Sequence, residues 1–157
     1  MVDNCVILFR KNREGSVVKS SYADFGFAMT DAKWSKVETK KPATRDWFDQ
    51  DGLDAYIPSV LRVAEGELSV EFVCKGKPSF VKDQESQFKN FLYGRDGLGA
   101  EFSLYDTNSN RGVAKAYLKE FGEPRCHTSN ADVVMEVEIT FFLINPNNEI
   151  VLSYVGD

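Results

Sequence analysis

The sequence predicts a mostly β fold, an antiparallel β-sandwich or half-open barrel, with one packed α-helix at about residues 82–93. Two runs, residues 68–74 and 135–141, alternate apolar and polar side chains. That period of two is typical of strands with one buried face. With 157 residues, of which 43% are hydrophobic, the chain suits a single β domain spanning residues 1–157.

Other segments complete the predicted sheet around these two strands. The turn-forming run 145–148 is expected to lead into a last strand, and the run 106–112 is expected to be a hairpin loop. A short strand is also plausible at residues 34–38. Four further runs are typical of strands: residues 6–10, 100–106, 113–121 and 149–155.

The predicted helix is the one interruption of the β pattern. Its apolar residues recur at helical spacing, which favours packing onto a sheet. Asp83 is expected to cap the first turn or to complement its charge, and Gly94 is expected to end the helix in the left-handed conformation. The side of the helix predicted to face the sheet consists of Phe80, Gln84, Phe88, Phe91 and Leu92.

A long loop is predicted at about residues 39–56, and it is rich in charged and aromatic side chains. Loops of this length in a compact domain are usually functional or disordered, and the aromatic residues favour function. Two interpretations of the aromatic group stay open: it covers the core, or it anchors a protein–protein interface. The group consists of Trp34, Trp47, Phe48 and Tyr56.

Charge and targeting patterns narrow the function classes. The net charge of −5 and the pI near 5.0 argue against a general nucleic-acid binder, which needs a basic face. We expect no signal peptide and no membrane span, and therefore synthesis in the cytoplasm. Glu136 and Glu138 lie on the polar face of a strand, where they form either a solvated surface or the wall of an acidic channel.

No motif predicts catalysis, a metal or a cofactor. His127 is interpreted as a plain loop histidine, since its neighbour Cys126 would point to the opposite face of a strand. The three cysteines, Cys5, Cys74 and Cys126, lack zinc-ligand spacing and disulfide-framework spacing.

An acidic stretch is also considered as a calcium loop, but an EF-hand loop with Gly52 at its sixth position would begin at Trp47, which cannot bind calcium. The stretch is interpreted as a turn rich in aspartate and glycine, with an irregular cation site as the alternative. Its residues are Asp46, Asp49, Asp51, Gly52 and Asp54.

Five segments follow one another in an order that is typical of a known family. They are Asp49-Gln-Asp-Gly-Leu-Asp-Ala-Tyr56, Gly66-Glu-Leu-Ser-Val-Glu-Phe-Val-Cys74, Phe88-Lys-Asn-Phe-Leu-Tyr-Gly94, Glu101-Phe-Ser-Leu-Tyr-Asp106 and Met135-Glu-Val-Glu-Ile-Thr-Phe-Phe-Leu-Ile-Asn-Pro146. Together they resemble the N-terminal hub domain of siphophage distal tail proteins, in which an acidic, glycine-containing turn precedes a strand, one helix follows, and a closing strand ends near a proline. The resemblance covers roughly residues 46–146 and extends to the related tail-tube fold.

The resemblance implies a structural subunit of a phage or prophage tail, either a distal hub or a tube subunit. Such proteins assemble with copies of themselves, as a hexameric ring around a DNA conduit, and with neighbouring tail proteins in the virion. We expect no counterpart of the C-terminal domain of larger distal tail proteins, which puts a carbohydrate-binding role in doubt. The alternative is a small-ligand-binding or adaptor β module without catalysis.

Overall fold

The computed structural model describes residues 5–36, 38, 40, 44–45, 54–55, 64–146 and 148–154. These residues confirm a mostly β fold with one packed helix. No helix among them is long and apolar enough to cross a membrane. The elements are β1 (Ile7–Lys11), β2 (Lys19–Ser20), β3 (Ala28–Trp34), β4 (Thr44–Arg45), β5 (Asp54–Ala55), β6 (Gly66–Gly76), α1 (Pro78–Tyr93), β7 (Phe102–Asp106), β8 (Arg111–Phe121), β9 (Arg125–Ser129) and β10 (Asp132–Leu143).

Within the described part of the chain, eight strands form one antiparallel sheet, in the order β2-β1-β7-β8-β10-β6-β3, with β9 also paired to β10. At its centre, β6 and β10 pair along their full lengths, from Leu143 opposite Gly66 to Val133 opposite Gly76. Alternate residues of both strands are buried, as the period of two predicts. The short strands β4 and β5 pair with each other in a separate two-stranded sheet.

The large sheet curves strongly around its core. Phe9 and Phe141 lie on strands three places apart in the sheet, yet their ring centroids are 5.7 Å apart. Neighbouring strands are spaced by about 4.8 Å, so a flat sheet would separate these rings by roughly 14 Å. The two ends of the sheet approach each other where the Met29 amide donates to the Cys5 carbonyl at 2.9 Å. The result is sandwich-like and is not closed into a barrel.

The helix starts earlier than residues 82–93, the predicted range. It begins at Pro78, after Lys77 in extended conformation, and no side chain caps its first turn. Proline suits this first position because its fixed φ is helical and its missing N–H needs no partner. The predicted role of Asp83 in the first turn is therefore wrong. The predicted end is confirmed, since Gly94 has φ 78° and its amide donates to carbonyls of the last turn.

Phenylalanine rings fill the space between the helix and the sheet. Phe88, Phe91 and Leu92 are buried as predicted, whereas Phe80 is 47% exposed and lies beside Gly76. The ring of Phe88 is fully buried and contacts five other rings with centroid distances from 5.0 to 6.4 Å. Several of these pairs are edge-to-face, which is a favourable aromatic geometry. The partner rings are Phe9, Phe25, Phe27, Phe72 and Phe121.

A buried lysine joins β1 to the end of the helix. The Lys11 ammonium donates to the carbonyls of Phe91 and Gly99 and lies 3.7 Å from an Asp96 carboxylate oxygen. It also lies 4.3 Å from the centroid of the Phe91 ring. A cation at this place complements the negative end of the helix dipole. Burial lowers the pKa of Lys11 below the ordinary value of 10.5, and Asp96 partly offsets that shift.

The last predicted strand, residues 149–155, is wrong. In its described part, residues 149–154, only one isolated bridge forms, between Glu149 and Val113. The segment instead packs its alternating apolar residues, Ile150 and Leu152, against Leu8 on the sheet face opposite the main core. The apolar residues that predicted a strand therefore alternate because their side chains pack against the sheet. The hydrogen bonds of a β-strand do not continue along the segment.

Near the other edge of the sheet, the predicted strand at residues 34–38 is misplaced. The observed strand β3 precedes it and ends at Trp34.

Cys74 is buried, Cys5 is half-buried and Cys126 is exposed, and all three are free thiols. Burial raises the pKa of the Cys74 thiol to about 11.

Truncating the ring at the centre of the core should destabilise the protein far more than truncating an exposed ring on the same helix. Phe88→Ala should lower the free energy of unfolding by about 3–5 kcal/mol, as for other buried aromatic residues. Phe80→Ala is the matched control and should cost about 1 kcal/mol or less. Urea denaturation followed by circular dichroism measures both, and equal losses would contradict this packing.

The buried lysine should leave a signature in the pH dependence of stability. Because the pKa of Lys11 is lower in the folded state, the unfolded state binds more protons as the pH approaches 10.5. This group therefore adds stability as pH rises through that window. Lys11→Met should remove this contribution. The free energy of unfolding of the wild type should therefore rise relative to that of the variant as the pH approaches 10.5. Urea denaturation across this pH range measures both proteins. A constant difference in the free energy of unfolding between wild type and Lys11→Met would contradict this interpretation.

Candidate functional site: the acidic face of the sheet

The candidate site lies where β8 and β9 follow each other along the same side of β10. β8 pairs with the second half of β10 and β9 with the first half. Between them, the Gly122 amide donates to the Glu138 carbonyl at 2.9 Å. A Cβ on Gly122 would lie only 2.5 Å from that carbonyl oxygen, so the close approach requires glycine. β8 and β9 thus behave as one strand interrupted at residues 122–124.

The hairpin between β9 and β10 was not predicted from the sequence. Its two turn residues, Asn130 and Ala131, have φ of 49° and 69°. Ser129 and Asp132 pair on either side of them. Positive φ at both central residues is the signature of a type I′ turn, which fits the twist of a β-hairpin. Asn130 could have indicated the turn, because asparagine tolerates the left-handed conformation. Ala131 gives no such indication, since alanine rarely adopts it.

A groove of about 470 Å³ opens at the interruption, on the sheet face opposite the helix. Glu136 and Glu138 line it, on the polar side of β10 where the sequence placed them. Among the described residues of the lining, Arg125 is the one basic residue. The acidic residues of the described lining are Glu71, Glu120, Glu123, Glu136 and Glu138.

Strand register places acidic residues directly beside one another in this groove. Glu138 is opposite Glu71 in the groove, and Glu71 is opposite Asp31, which lies on β3 outside the lining. Like charges at directly opposed positions of a sheet are destabilising, so this row is unfavourable for the isolated fold. Arg125 offsets part of the charge from 3.9 Å away, at Glu136. The face is therefore a concentrated source of negative potential.

The chemistry of the groove is electrostatic. Within the described residues, no three His, Cys, Asp or Glu side chains are grouped so as to hold a metal ion. His127 and Cys126 are exposed and adjacent on β9, where they pair with Val134 and Met135. The sequence interpretation of His127 as a loop residue is thus corrected to a strand residue. What the groove can do is repel anions and attract cations over a short range.

The candidate interface residues are only partly described by the structure. Trp34 is half-buried and packs against the core. Its indole nitrogen donates to Asp106 at 3.3 Å, and the Arg111 guanidinium lies 4.4 Å from its ring. These contacts join the edge strand β3 to β7 and β8. The other members of the group, Trp47, Phe48 and Tyr56, lie outside the described residues.

The long loop predicted at residues 39–56 is likewise described only in part. Its Thr44–Arg45 and Asp54–Ala55 pairs form the small sheet of β4 and β5. Asp46, Asp49, Asp51 and Gly52, considered above as a possible calcium loop, lie outside the described residues. The sequence interpretation of that stretch as an aspartate- and glycine-rich turn therefore stays a prediction.

Comparison with known proteins gives a likeness in structure and none in sequence. No protein-family model matches this chain, and no curated protein matches it. Among solved structures, it is similar to SPP1 Dit, described as a paradigm of the hub adsorption apparatus in phages that infect Gram-positive hosts, with 14% identity and a TM-score of 0.54. That match covers 90% of this chain and 51% of the SPP1 chain, so this chain spans about half of that protein.

A second solved structure is the tail of an empty GTA particle with C6 symmetry. It has 9% identity, covers 94% of this chain and 96% of the other, and gives a TM-score of 0.41. The likeness to SPP1 Dit shows that this chain has the fold of that phage protein over the matched part. The fold predicted from the resemblance in the sequence is thereby supported.

Removing one charge from the acidic row should stabilise the fold. Glu138→Gln should raise the free energy of unfolding by roughly 0.2–1 kcal/mol, because it relieves the opposition to Glu71. The gain should shrink with added salt, since the Debye length falls from about 30 Å at 0.01 M to about 3 Å at 1 M. Both effects are measurable in urea melts at two salt concentrations.

Glu67→Gln on the same sheet face provides the matched control. Glu67 has a cationic partner, because the Lys119 ammonium lies 3.1 Å from both of its carboxylate oxygens. Its neutralisation should therefore destabilise the protein slightly, by up to about 1 kcal/mol. The same sign for both variants would show that the opposed carboxylates do not interact as described.

Proposed function

We propose that this chain is a structural subunit of a phage or prophage tail, a distal tail hub or a tail-tube protein, that forms a ring around a DNA conduit. The observation that carries the proposal is the likeness of 90% of the chain to SPP1 Dit, a phage hub protein, at a TM-score of 0.54. In this proposal the subunit acts by assembly and not by catalysis. Its place is the virion tail, after synthesis in the host cytoplasm.

In this proposal the acidic groove faces the lumen. Glu136 and Glu138 would line the conduit, with Glu71 beside them in the same row. A wall of carboxylates repels the phosphates of DNA and so avoids the counterion release that drives tight binding. Because physiological salt limits such fields to about 8 Å, the wall acts on DNA only at close approach. The row of opposed carboxylates destabilises one subunit, but in a ring it would supply the negative charge of the lumen wall.

The same proposal accounts for the open sheet. Strand edges left unpaired in one subunit are hazards for aggregation unless another element or subunit covers them. A closed ring satisfies such surfaces through a repeated head-to-tail contact between neighbours. Trp34, which joins β3 to β7 and β8, lies near one edge and would stiffen it. Trp47, Phe48 and Tyr56 are proposed as the aromatic anchors of the contact, and the ring as a hexamer.

Electron microscopy tests the ring directly. The purified protein, alone and mixed with the neighbouring tail proteins of its genome, should form closed rings with a central channel. Chemical cross-linking of the same samples should give a ladder of species that ends at the ring size. The proposal fails if the mixed sample, at concentrations where tails assemble, contains only monomers or open aggregates.

The lumen assignment has its own test. Rings of Glu136→Lys/Glu138→Lys should bind double-stranded DNA at 50 mM salt, whereas wild-type rings should not, because the variant replaces repulsion with phosphate contacts. The control Glu14→Lys/Asp83→Lys makes the same charge change on exposed residues outside the groove. Equal DNA binding by both variants would place the acidic face elsewhere than the lumen.

A further inference from the structure

A second concave surface, of about 420 Å³, lies on the helix side of the molecule, where three segments of the chain meet. One wall is α1, which contributes Gln87, Asn90 and Phe91 at positions i, i+3 and i+4 on one side of the helix. The second wall is β2 with the turn after it, and the third is the turn after α1. We call this surface the helix pocket. The residues from its second and third walls are Lys19, Asp24, Phe25, Arg95 and Asp96.

Two phenylalanine rings form the floor of the helix pocket. The ring centroids of Phe25 and Phe91 are 5.0 Å apart, and Phe25 also stacks on the central ring of Phe88 at 5.0 Å. Phe25 is 7% exposed and Phe91 is 6% exposed. The floor is therefore apolar and fixed by the core, and the polar walls supply most of the surface that a ligand would meet.

The acidic side chains of the pocket are held in place by backbone amides. The Ser20 amide donates to Oδ2 of Asp24 at 2.7 Å, and the Leu98 amide donates to Oδ1 of Asp96 at 3.1 Å. The buried Lys11 ammonium lies 3.7 Å from the same oxygen of Asp96. Because a carboxylate can accept about four hydrogen bonds, both groups keep the capacity to accept more.

The basic side chains of the pocket do not pair with the acidic ones. Among the described residues, neither Lys19 nor Arg95 forms an ion pair, although two carboxylates line the same pocket. Arg95 stacks on the Tyr93 ring, with its guanidinium carbon 5.0 Å from the ring centroid. The opposite charges therefore leave the pocket open, and two cations offset two carboxylates in its described lining.

The lining balances hydrogen-bond donors against acceptors. Lysine and arginine only donate, carboxylates only accept, and the side-chain amides of Gln87 and Asn90 do both. A small anion or cation would meet two side chains of its own charge, whereas a hydroxyl group can use donors and acceptors alike. The volume lies within the range of about 300–1,000 Å³ that is usual for small-ligand sites. An uncharged ligand with several hydroxyl groups and an apolar C–H face fits this lining.

We propose that the helix pocket binds a saccharide. The C–H face of one sugar ring lies over the phenylalanine floor, and the two amides of α1 bind its hydroxyl groups from one side. The carboxylates accept hydrogen bonds from hydroxyl groups at the opposite rim, and the cations donate to them. The resemblance in the sequence connected carbohydrate binding with a C-terminal domain, whereas this site is built by residues 19–96. It goes beyond the proposed assembly, because a single subunit supplies the described lining.

NMR titration tests the site on the full-length protein. The ¹⁵N-labelled chain is titrated separately with glucose, galactose, mannose and N-acetylglucosamine. At least one of these sugars should shift the side-chain amide signals of Gln87 and Asn90 saturably, together with backbone amides of residues 87–96. The backbone amides of Glu136 and Glu138, in the acidic groove, should not move. A lack of saturable shifts at the two side-chain amides with all four sugars would overturn the inference.

Truncating the two amides should weaken binding of the responding sugar. Gln87→Ala/Asn90→Ala should raise its Kd roughly tenfold, because the hydrogen bonds from α1 are lost. Both positions are exposed, and alanine is favourable in a helix, so the variant should fold. The matched control, Ser86→Ala, truncates an exposed polar side chain of the same helix outside the pocket and should leave the Kd unchanged. Backbone shifts of residues 94–96 report the Kd, and equal values for the double variant and the wild type would contradict the site.

Charged probes separate a saccharide site from an ion site. Inorganic phosphate and ethylammonium are titrated under the same conditions, and neither should shift the side-chain amides of Gln87 and Asn90 where the sugar saturates them. Tighter binding of either ion than of any sugar would overturn the inference. Because these titrations use unassembled subunits, their outcome does not depend on whether the chain forms tail rings.

The methyl glycoside of the responding sugar identifies its source. A sugar residue within a polysaccharide carries a substituent at the same oxygen as the methyl glycoside, and a free sugar does not. Equal binding of both forms would support a residue of a polysaccharide as the ligand. Binding of the unsubstituted sugar alone would support a free sugar.

Discussion

The contact between Phe88 and the rings around it holds the helix and the curved sheet together. Phe88 meets Phe9 from β1 and Phe72 from β6, strands that lie far apart in the sheet order. Phe9 in turn contacts Phe141 on β10. This cluster keeps the sheet bent, and the bend brings Trp34 close to β7 and β8. The acidic groove lies on the outer side of the sheet whose curvature the cluster maintains.

The elements that could be predicted from the sequence are those in which burial dictates the pattern. β6 and β10 alternate because each buries one face, and the helix end at Gly94 is marked by the residue type that the left-handed conformation requires. β9 has no such pattern, since residues 125–128 are all exposed and its pairing depends on the neighbouring strand. The helix start was missed because Pro78, an N-terminal signal, lies before the apolar spacing becomes regular.

The candidate site was visible in part for a related reason. Glu136 and Glu138 stand on the polar side of a strand that alternates clearly, so their shared face could be inferred from spacing alone. Glu71 joins them only through the register of β6 against β10, which single-residue spacing does not determine. The interruption near Gly122 that opens the groove depends on a close backbone approach between strands. Such an approach is a property of the packed structure, and the glycine by itself does not reveal its partner.

The pairing of β6 with β10 also governs when the molecule can acquire its structure. Phe72 pairs with Val137, and the helix and three further strands lie between them in the sequence. At translation speeds of about 5–20 residues per second, β6 therefore waits on the order of 10 s for its principal neighbour. Pairing across so great a separation is intrinsically slow, because loop closure precedes the favourable contacts. A ribosome-bound chain that lacks β10 has neither a complete core nor a finished acidic face, so both surfaces of the sheet are completed only after β10 has been synthesised.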